Sequence, residues 1–172
     1  YKNFLSTGQQ FIEVPLNTGG TTLIIGDNGS GKSTMLDALC FGLFNRPFRD
    51  IKKDQIVNSI NEKDCLVEID LQIGSNNYTI KRGIKPAIFE IWCNDKMLNQ
   101  DAASKDYQKH LEDNILRLNF RSFTQVVILG SSSFVPFMRL RARHRRQVVE
   151  EILDIEIFSR MNLLLREKNK AK

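Results

Sequence analysis

Hydrophobic and polar positions change their spacing several times along the chain, and the changes mark out its elements. Phe4, Phe11, Ile12 and Val14 alternate loosely around Ser6, Thr7 and Gly8, a pattern that predicts two strands and a turn closed by Pro15. A turn signal at 17–20 leads into Thr21, Thr22, Leu23, Ile24 and Ile25, a β-branched run suited to a buried strand, which stops at Gly26. The period then becomes helical. Over 33–44, Met35, Leu36, Leu39, Cys40 and Leu43 fall on one face. Ala38, Phe41 and Phe44 leave so little polar surface elsewhere that neighbours must cover the helix on most sides.

Residues 45–64, with Pro47, Lys52 and Lys53 among scattered Asn and Asp, read as a long loop holding one helical turn, and long loops in compact domains are often functional. Three strands follow at 66–73, 78–82 and 88–93, parted by turn residues at 74–77 and 83–86, and they form an antiparallel meander. Tyr107, Leu111, Ile115 and Leu118 give 102–118 a helical pattern, and 123–129 predicts a turn entering a buried strand that the serines at 131–133 interrupt. From Leu140 the chain reads as helical to its end, with a break near Asp154. Phe158, Met161 and Leu165 stand at heptad-like spacing, short of the roughly three or four repeats that define a coiled coil.

Composition narrows the class. With 172 residues, 41% apolar and 26% charged, the chain suits one globular domain and excludes a disordered or collagen-like protein. Its longest wholly apolar run, 126–129, falls far short of the roughly 18 residues of a membrane span, and no signal segment opens it. A soluble protein without a membrane partner is expected. Cys40, Cys65 and Cys93 show no CxxC spacing, which argues against a disulfide framework or a zinc site and for a reducing, cytoplasmic compartment. His110 and His144 stand alone and make no metal centre. The start at Tyr1 and the basic end point to a piece of a longer polypeptide.

The net charge of +5 is concentrated: residues 1–138 balance 15 Lys and Arg against 15 Asp and Glu, whereas 139–172 carry 10 against 5. A localised basic tract is the footprint of a phosphate-backbone partner or, equally, a solvated helix face.

The sharpest motif is Gly26-Asp27-Asn28-Gly29-Ser30-Gly31-Lys32-Ser33, which satisfies G-x-x-x-x-G-K-[ST] between an expected strand and an expected helix. Its glycines let backbone N–H groups curl around a phosphate, and the helix N-terminus adds a favourable dipole. In that arrangement Lys32 reaches the terminal phosphates and the Ser33 hydroxyl ligates Mg²⁺. A self-sufficient ATPase also needs a carboxylate at the end of an apolar strand. None is evident, since 66–70 alternates and 126–129 runs into Gly130 and three serines. The chain is expected to bind a nucleotide and to need more protein to hydrolyse it.

The phosphate loop, with Met35, Leu36, Asp37, Ala38 and Leu39 after it, resembles that of the ABC-type ATPases that carry long coiled coils, the structural-maintenance-of-chromosomes class and its repair relatives. The tract 47–53, the hairpin residues 78–82 and the stretch 123–137 with 145–153 after it narrow the likeness. They resemble the SbcC branch of double-strand-break repair ATPases, including the ATPase subunits of T-even-like phage recombination endonucleases. The resemblance implies an α/β fold with a parallel core sheet and an antiparallel side sheet. It implies an N-terminal ATPase lobe over 1–138, and over 139–172 a basic helical segment opening a coiled coil. It also implies ATP and Mg²⁺ as cofactors. The implied partners are a second head in a homodimer, the chain's own C-terminal lobe, a metallophosphoesterase nuclease and double-stranded DNA, inside a phage-infected host.

Carried over by residue, Asn28, Gly29, Ser30, Gly31, Lys32, Ser33 and Thr34 match the phosphate-binding positions, and the base-side loop falls at 57–59, with Asn58 and Ser59 as contacts. Two positions depart from the pattern. Leu5 stands where an arginine often touches the nucleotide, and Ser131 aligns with the glutamine that senses Mg²⁺, Gln125 lying six residues earlier.

Arg141, Arg143, Arg145 and Arg146, with Arg139 and His144, are candidates for DNA-backbone contact, against a capping or solvated role. Lys81 and Arg82 are weighed equally between DNA and surface roles, Trp92 is read as packing, and the cluster at Met161, Leu163, Leu164 and Leu165 as core, against packing on a returning helix or the nuclease subunit. Two other classes compete: a self-contained nucleotide kinase or NTPase, which would need its own carboxylates near Lys32, and a DNA-binding scaffold with a vestigial phosphate loop.

Overall fold

A computed structural model describes residues 1–98, 104–128, 137–153, 155, 161–162, 165–166 and 168–169. They form two compact units, Tyr1–Leu111 and Glu112–Lys172, and the boundary expected at 138/139 lies inside the second.

In the first unit the alternating segments pair as an antiparallel sheet in sequential order: β1 (Cys65–Ile73), β2 (Asn76–Ile84), β3 (Ile88–Cys93) and a short β4 (Lys96–Met97) that had no strand signal of its own. Because side chains alternate across a strand, the register sorts them by face. Val67, Arg82 and Phe89 lie side by side on one face, as do Ile69, Ile80 and Ile91. The opposite face aligns Glu68, Lys81 and Glu90, then Asp70, Thr79 and Trp92. Lys81 pairs with Glu68 at 3.3 Å, the Thr79 hydroxyl donates to Asp70 at 2.6 Å, and the Trp92 indole N–H donates to Glu90 at 3.0 Å.

Helix α1 (Lys32–Phe44) packs against β1 and β2 and buries Thr34, Asp37, Ala38, Cys40, Phe41, Gly42, Leu43 and Phe44, as its nearly all-apolar surface requires. Gly42 permits the close approach. A Cβ there would meet Ile69 Cδ1 at 2.5 Å and Val67 Cγ1 at 3.0 Å. The core gathers Phe4, Ala38, Phe41, Ile56, Val57, Cys65 and Val67, with the rings of Phe4 and Phe41 5.6 Å apart.

Burial first, then the charge of Asp37, pushes the Cys40 thiol from 9.0 up to about 12 against the opposing pull of Arg46, and burial lifts Cys65 to about 11. A raised thiol pKa stabilises the fold below the unfolded value near 9, and the contribution disappears as pH climbs through the folded values. Stability is therefore expected to fall between about pH 9 and 12. Brief alkylation of the folded protein should label the half-buried Cys93 before Cys40 or Cys65, read by mass spectrometry, and equal labelling of all three would contradict this burial.

Two expected strand regions take other forms. Residues 1–14 make only isolated bridges, Lys2 to Leu66 and Phe4 to Val57, although Phe4 is fully buried. Residues 21–25 form no strand, and Leu23 and Ile25 are 80% and 84% exposed. A β-branched run becomes a strand only with a neighbour to pair with, and among the described residues none flanks it. The expected parallel core sheet is likewise not found there, the antiparallel sheet being the only one.

The helix expected at 102–118 is α2 (Ser104–His110) followed by a π-helical turn, Leu111–Leu116. Ala102 lies outside the described residues.

In the second unit the turn and strand expected at 123–129 are not found: 123–126 belong to helix α3 (Phe120–Val126), 127–128 form no strand, and Leu129 lies outside the described residues. The Asn119 side chain accepts from the Ser122 N–H at 3.0 Å and caps the helix, a local signal that starts it at Phe120. Helix α4 (Ala142–Ile152) agrees with the helical pattern from Leu140. Ser131, Asp154, Phe158, Leu163 and Leu164 lie outside the described residues, and Met161 and Leu165 are exposed. No helix among the described residues is long and apolar enough to cross a membrane.

Candidate nucleotide-binding site

Residues 26–30 form an exposed loop that passes through half-buried Gly31 directly into α1, whose first two residues are Lys32 and Ser33. Gly29 and Gly31 take φ of 89° and 93°, a left-handed region that side chains with a Cβ rarely adopt, so the turn depends on glycine at both positions. The Ser30 N–H donates to the Asp27 carbonyl at 3.2 Å, and Thr34 N–H to the Gly31 carbonyl at 3.0 Å. Gly31 caps α1 without a side-chain acceptor, and the first turn of the helix contains no acid, so the positive end of the helix dipole is not offset by a carboxylate in that turn. The Lys32 ammonium folds back along the loop, donating to the carbonyls of Gly26 at 2.5 Å and Asp27 at 2.7 Å. Ser33 is exposed and Thr34 buried, so of the two hydroxyl residues Ser33 faces outward from the first turn.

One turn further along, the helix is fastened to the following loop. Asp37 is wholly buried, and its carboxylate accepts from the Arg49 backbone N–H at 2.9 Å and from its Nε at 2.7 Å, with Nη2 at 2.5 Å. This charge-assisted fork holds 45–49 against α1. Asp37 is the lone acid in an apolar helix, a signal that it has a buried partner, but sequence does not say which arginine supplies it.

The base-side candidates separate. Ser59 is exposed, whereas Asn58 is buried with its carboxamide fully engaged. Its amide donates to the carbonyls of Leu5 and Thr7 at 2.9 and 3.0 Å, and its oxygen accepts from the N–H groups of Ile60 and Asn61 at 2.9 and 3.0 Å. A nucleotide contact from this position would come from the backbone or from Ser59. Asn61 in turn donates to Asn3 at 2.8 Å, so the amides tie the first residues to the loop at 56–64. Leu5, the departure from the family arginine, has φ of 53° and donates its N–H to the Ile56 carbonyl.

The two cations of the hairpin also separate. Lys81 is paired on the open face of the sheet, while Arg82 is 4% exposed and turned to the end of α1, where its Nε donates to the Gly42 carbonyl at 2.9 Å. A surface or DNA role is excluded for Arg82 by that burial.

In the second unit Arg141, Arg143 and Arg146 are exposed, Arg145 donates to the Met138 carbonyl at 2.9 Å, and Arg146 lies 3.9 Å from Glu150. Desolvation and then the charges of Arg121, Arg141 and Arg143 hold the His144 imidazole below its usual range. Arg121, on α3, thus joins Arg141 and Arg143 at the start of α4 in one field around His144, which its position in the sequence did not suggest. Gln125 Oε1 is buried without a hydrogen-bond partner among the described residues. No group of three or more potential metal ligands among His, Cys, Asp and Glu occurs among the described residues.

A glycine-turned loop feeds its lysine and serine into a buried helix, and the whole chain carries a family pattern: it belongs to the AAA domain family, whose model matches residues 1–172. Among individual proteins it is homologous to exonuclease subunit 2 of Enterobacteria phage T4, 46% identical over 164 residues, and to that of Escherichia phage RB69, 44% identical over 162. These alignments take in 95% and 94% of the chain and 29% of each relative. The DNA double-strand break repair Rad50 ATPase of Thermoplasma volcanium is 27% identical across 96% of the chain and 18% of its own length. The chain therefore spans less than a third of the length of the phage relatives it matches.

Proposed function

We propose that this chain is the N-terminal, ATP-binding lobe of a DNA-repair ATPase that works with a partner nuclease in DNA-end processing. The loop at 26–33 carries the proposal: two left-handed glycines, an uncapped helix start and a lysine long enough to sweep from the Gly26 and Asp27 carbonyls to a phosphate. On binding, the backbone N–H groups of 28–34 would surround the β-phosphate, and Lys32 would exchange its two carbonyls for β- and γ-phosphate oxygens. The outward-facing Ser33 hydroxyl suits a Mg²⁺ ligand, and the metal would neutralise charge on the phosphates.

Hydrolysis then requires a carboxylate that the sequence does not place near Lys32. It would come from the C-terminal lobe of the same polypeptide, with a second head completing the site across a homodimer. The exposed apolar side chains of Leu23, Ile24 and Ile25, next to the loop, suit a strand that pairs with that lobe. Arg141 and Arg143 are the exposed cations best disposed for double-stranded DNA, which they would grip through the backbone without reading bases. The names of the phage relatives, both exonuclease subunits, support a nuclease partner.

The test is ATP turnover with Mg²⁺ by this chain alone and after mixing with the remainder of its polypeptide. Turnover that appears only on mixing, and that double-stranded DNA alters, is expected. Lys32-dependent turnover by the chain alone would instead establish a self-contained NTPase.

A further inference from the structure

An α-helix leaves its last four carbonyls without partners inside the helix, and buried carbonyls must find them elsewhere. In α1 the Phe41 carbonyl takes the Asn45 N–H at 2.9 Å, which is a local solution. The next two are served from distant parts of the chain. Gly42 O accepts from Arg82 Nε of β2 at 2.9 Å, and Leu43 O accepts from Gln108 Nε2 of α2 at 3.0 Å. The two donors are joined to each other, Arg82 Nη2 donating to Gln108 Oε1 at 2.6 Å, which closes a ring of three hydrogen bonds around the helix end.

The ring is rigid by construction. Arg82 is 4% exposed, and its guanidinium lies 3.7 Å from the centroid of the Phe89 ring on β3, so stacking fixes the plane from which both N–H groups point. A buried cation at a helix C-terminus is also at the favourable end of the dipole. At the same turn the missing side chain of Gly42 seats the helix backbone on Val67 and Ile69 of β1. The sheet therefore fixes α1 sideways through Gly42, while Arg82 and Gln108 fix it along its axis.

The other end of this helix is the phosphate loop. Thirteen residues make a rod about 20 Å long, stiff enough that a tilt at one end displaces the other. We propose that Arg82 and Gln108 are positioning residues that clamp the C-terminal end of α1 and so couple the antiparallel sheet and α2 to nucleotide binding at its N-terminal end. The clamp touches no nucleotide. It rests on the reading of 26–33 as a nucleotide site and adds to it the elements from which that site can be adjusted.

The experiment is calorimetric titration of full-length protein with MgATP, for wild type, Arg82→Lys, Gln108→Leu and the double variant, with Lys32→Ala as reference and a thermal melt of each. Lysine keeps the charge of Arg82 but not the fork, and leucine keeps the bulk of Gln108 but neither of its hydrogen bonds. Each single variant is expected to weaken MgATP binding by about 5- to 20-fold, and the double variant by less than the product of the two, because both act through one ring. Folded variants that bind MgATP like wild type would overturn the clamp and leave Arg82 and Gln108 a purely structural role. Should Arg82→Lys fail to fold, Gln108→Leu decides alone, since its donor is lost from a partly exposed helix. A wild type that itself binds no MgATP would overturn the nucleotide reading, and the clamp with it, whereas binding by wild type and not by Lys32→Ala isolates the clamp as the question.

Discussion

Lys32→Ala is expected to cost the full-length protein about 3 kcal/mol of MgATP affinity, roughly 100-fold, and to remove turnover while leaving its melting temperature nearly unchanged. The two halves of this prediction have separate causes. The ammonium would meet two phosphate groups at once, and charge-assisted hydrogen bonds are among the stronger ones available. Its present partners are the carbonyls of Gly26 and Asp27 in an exposed loop, which water can satisfy when the side chain is removed. Little folding energy is therefore lost. Calorimetry and a thermal melt on the same preparations separate the two, and unchanged affinity together with unchanged turnover would withdraw 26–33 as the nucleotide site.

Phe41→Ala should have the opposite profile, a loss of about 3–5 kcal/mol in unfolding free energy. The ring is wholly buried, stacks obliquely on Phe4 at 51°, and sits where α1, β1 and the first residues of the chain converge. No single neighbour can move in to fill the space, since Phe4 is held by its N–H to the Thr7 hydroxyl and Ala38 is part of the same helix. Denaturant unfolding measures the loss. Leu23→Ala, at a side chain 80% exposed, is the internal comparison and should stay within about 0.5 kcal/mol in this chain. Should the two substitutions cost the same, the core has been misplaced.

The contrast between Phe41 and Leu23 also shows which parts of the structure were legible in the sequence. Helix α1, the three long strands and the glycine turn at 29–31 are encoded locally, by apolar period and by glycine spacing, each within a short window of sequence. The run 21–25 has the strand-forming residues but lacks a pairing partner among the described residues, and propensity alone does not make a strand. At 123–126 the expected turn is helix because Asn119, lying before it, supplies an N-cap. The contacts that organise the site are the least legible. Asp37 reaches Arg49 across 12 positions, Gln108 meets Arg82 across 26, and Arg82 meets Gly42 across 40, so none leaves a periodic trace. Asn58, singled out as a ligand contact, turned out to have its side chain engaged by the backbone of Leu5, Thr7, Ile60 and Asn61.

The bare backbone at Gly42 constrains the order in which this protein can change. Exchanging a helix-interior glycine for alanine ordinarily gains up to about 1 kcal/mol. Here the new methyl would lie 2.5 Å from Ile69 Cδ1, and overpacking of about 1–3 kcal/mol would outweigh the gain. To admit a methyl at 42 the Ile69 side chain has to swing aside and Val67 has to give, and trimming either instead opens a cavity under the helix. Position 42 is therefore a poor starting point for stabilising the protein, because the substitution that would ordinarily favour a helix here works against the packing beneath it.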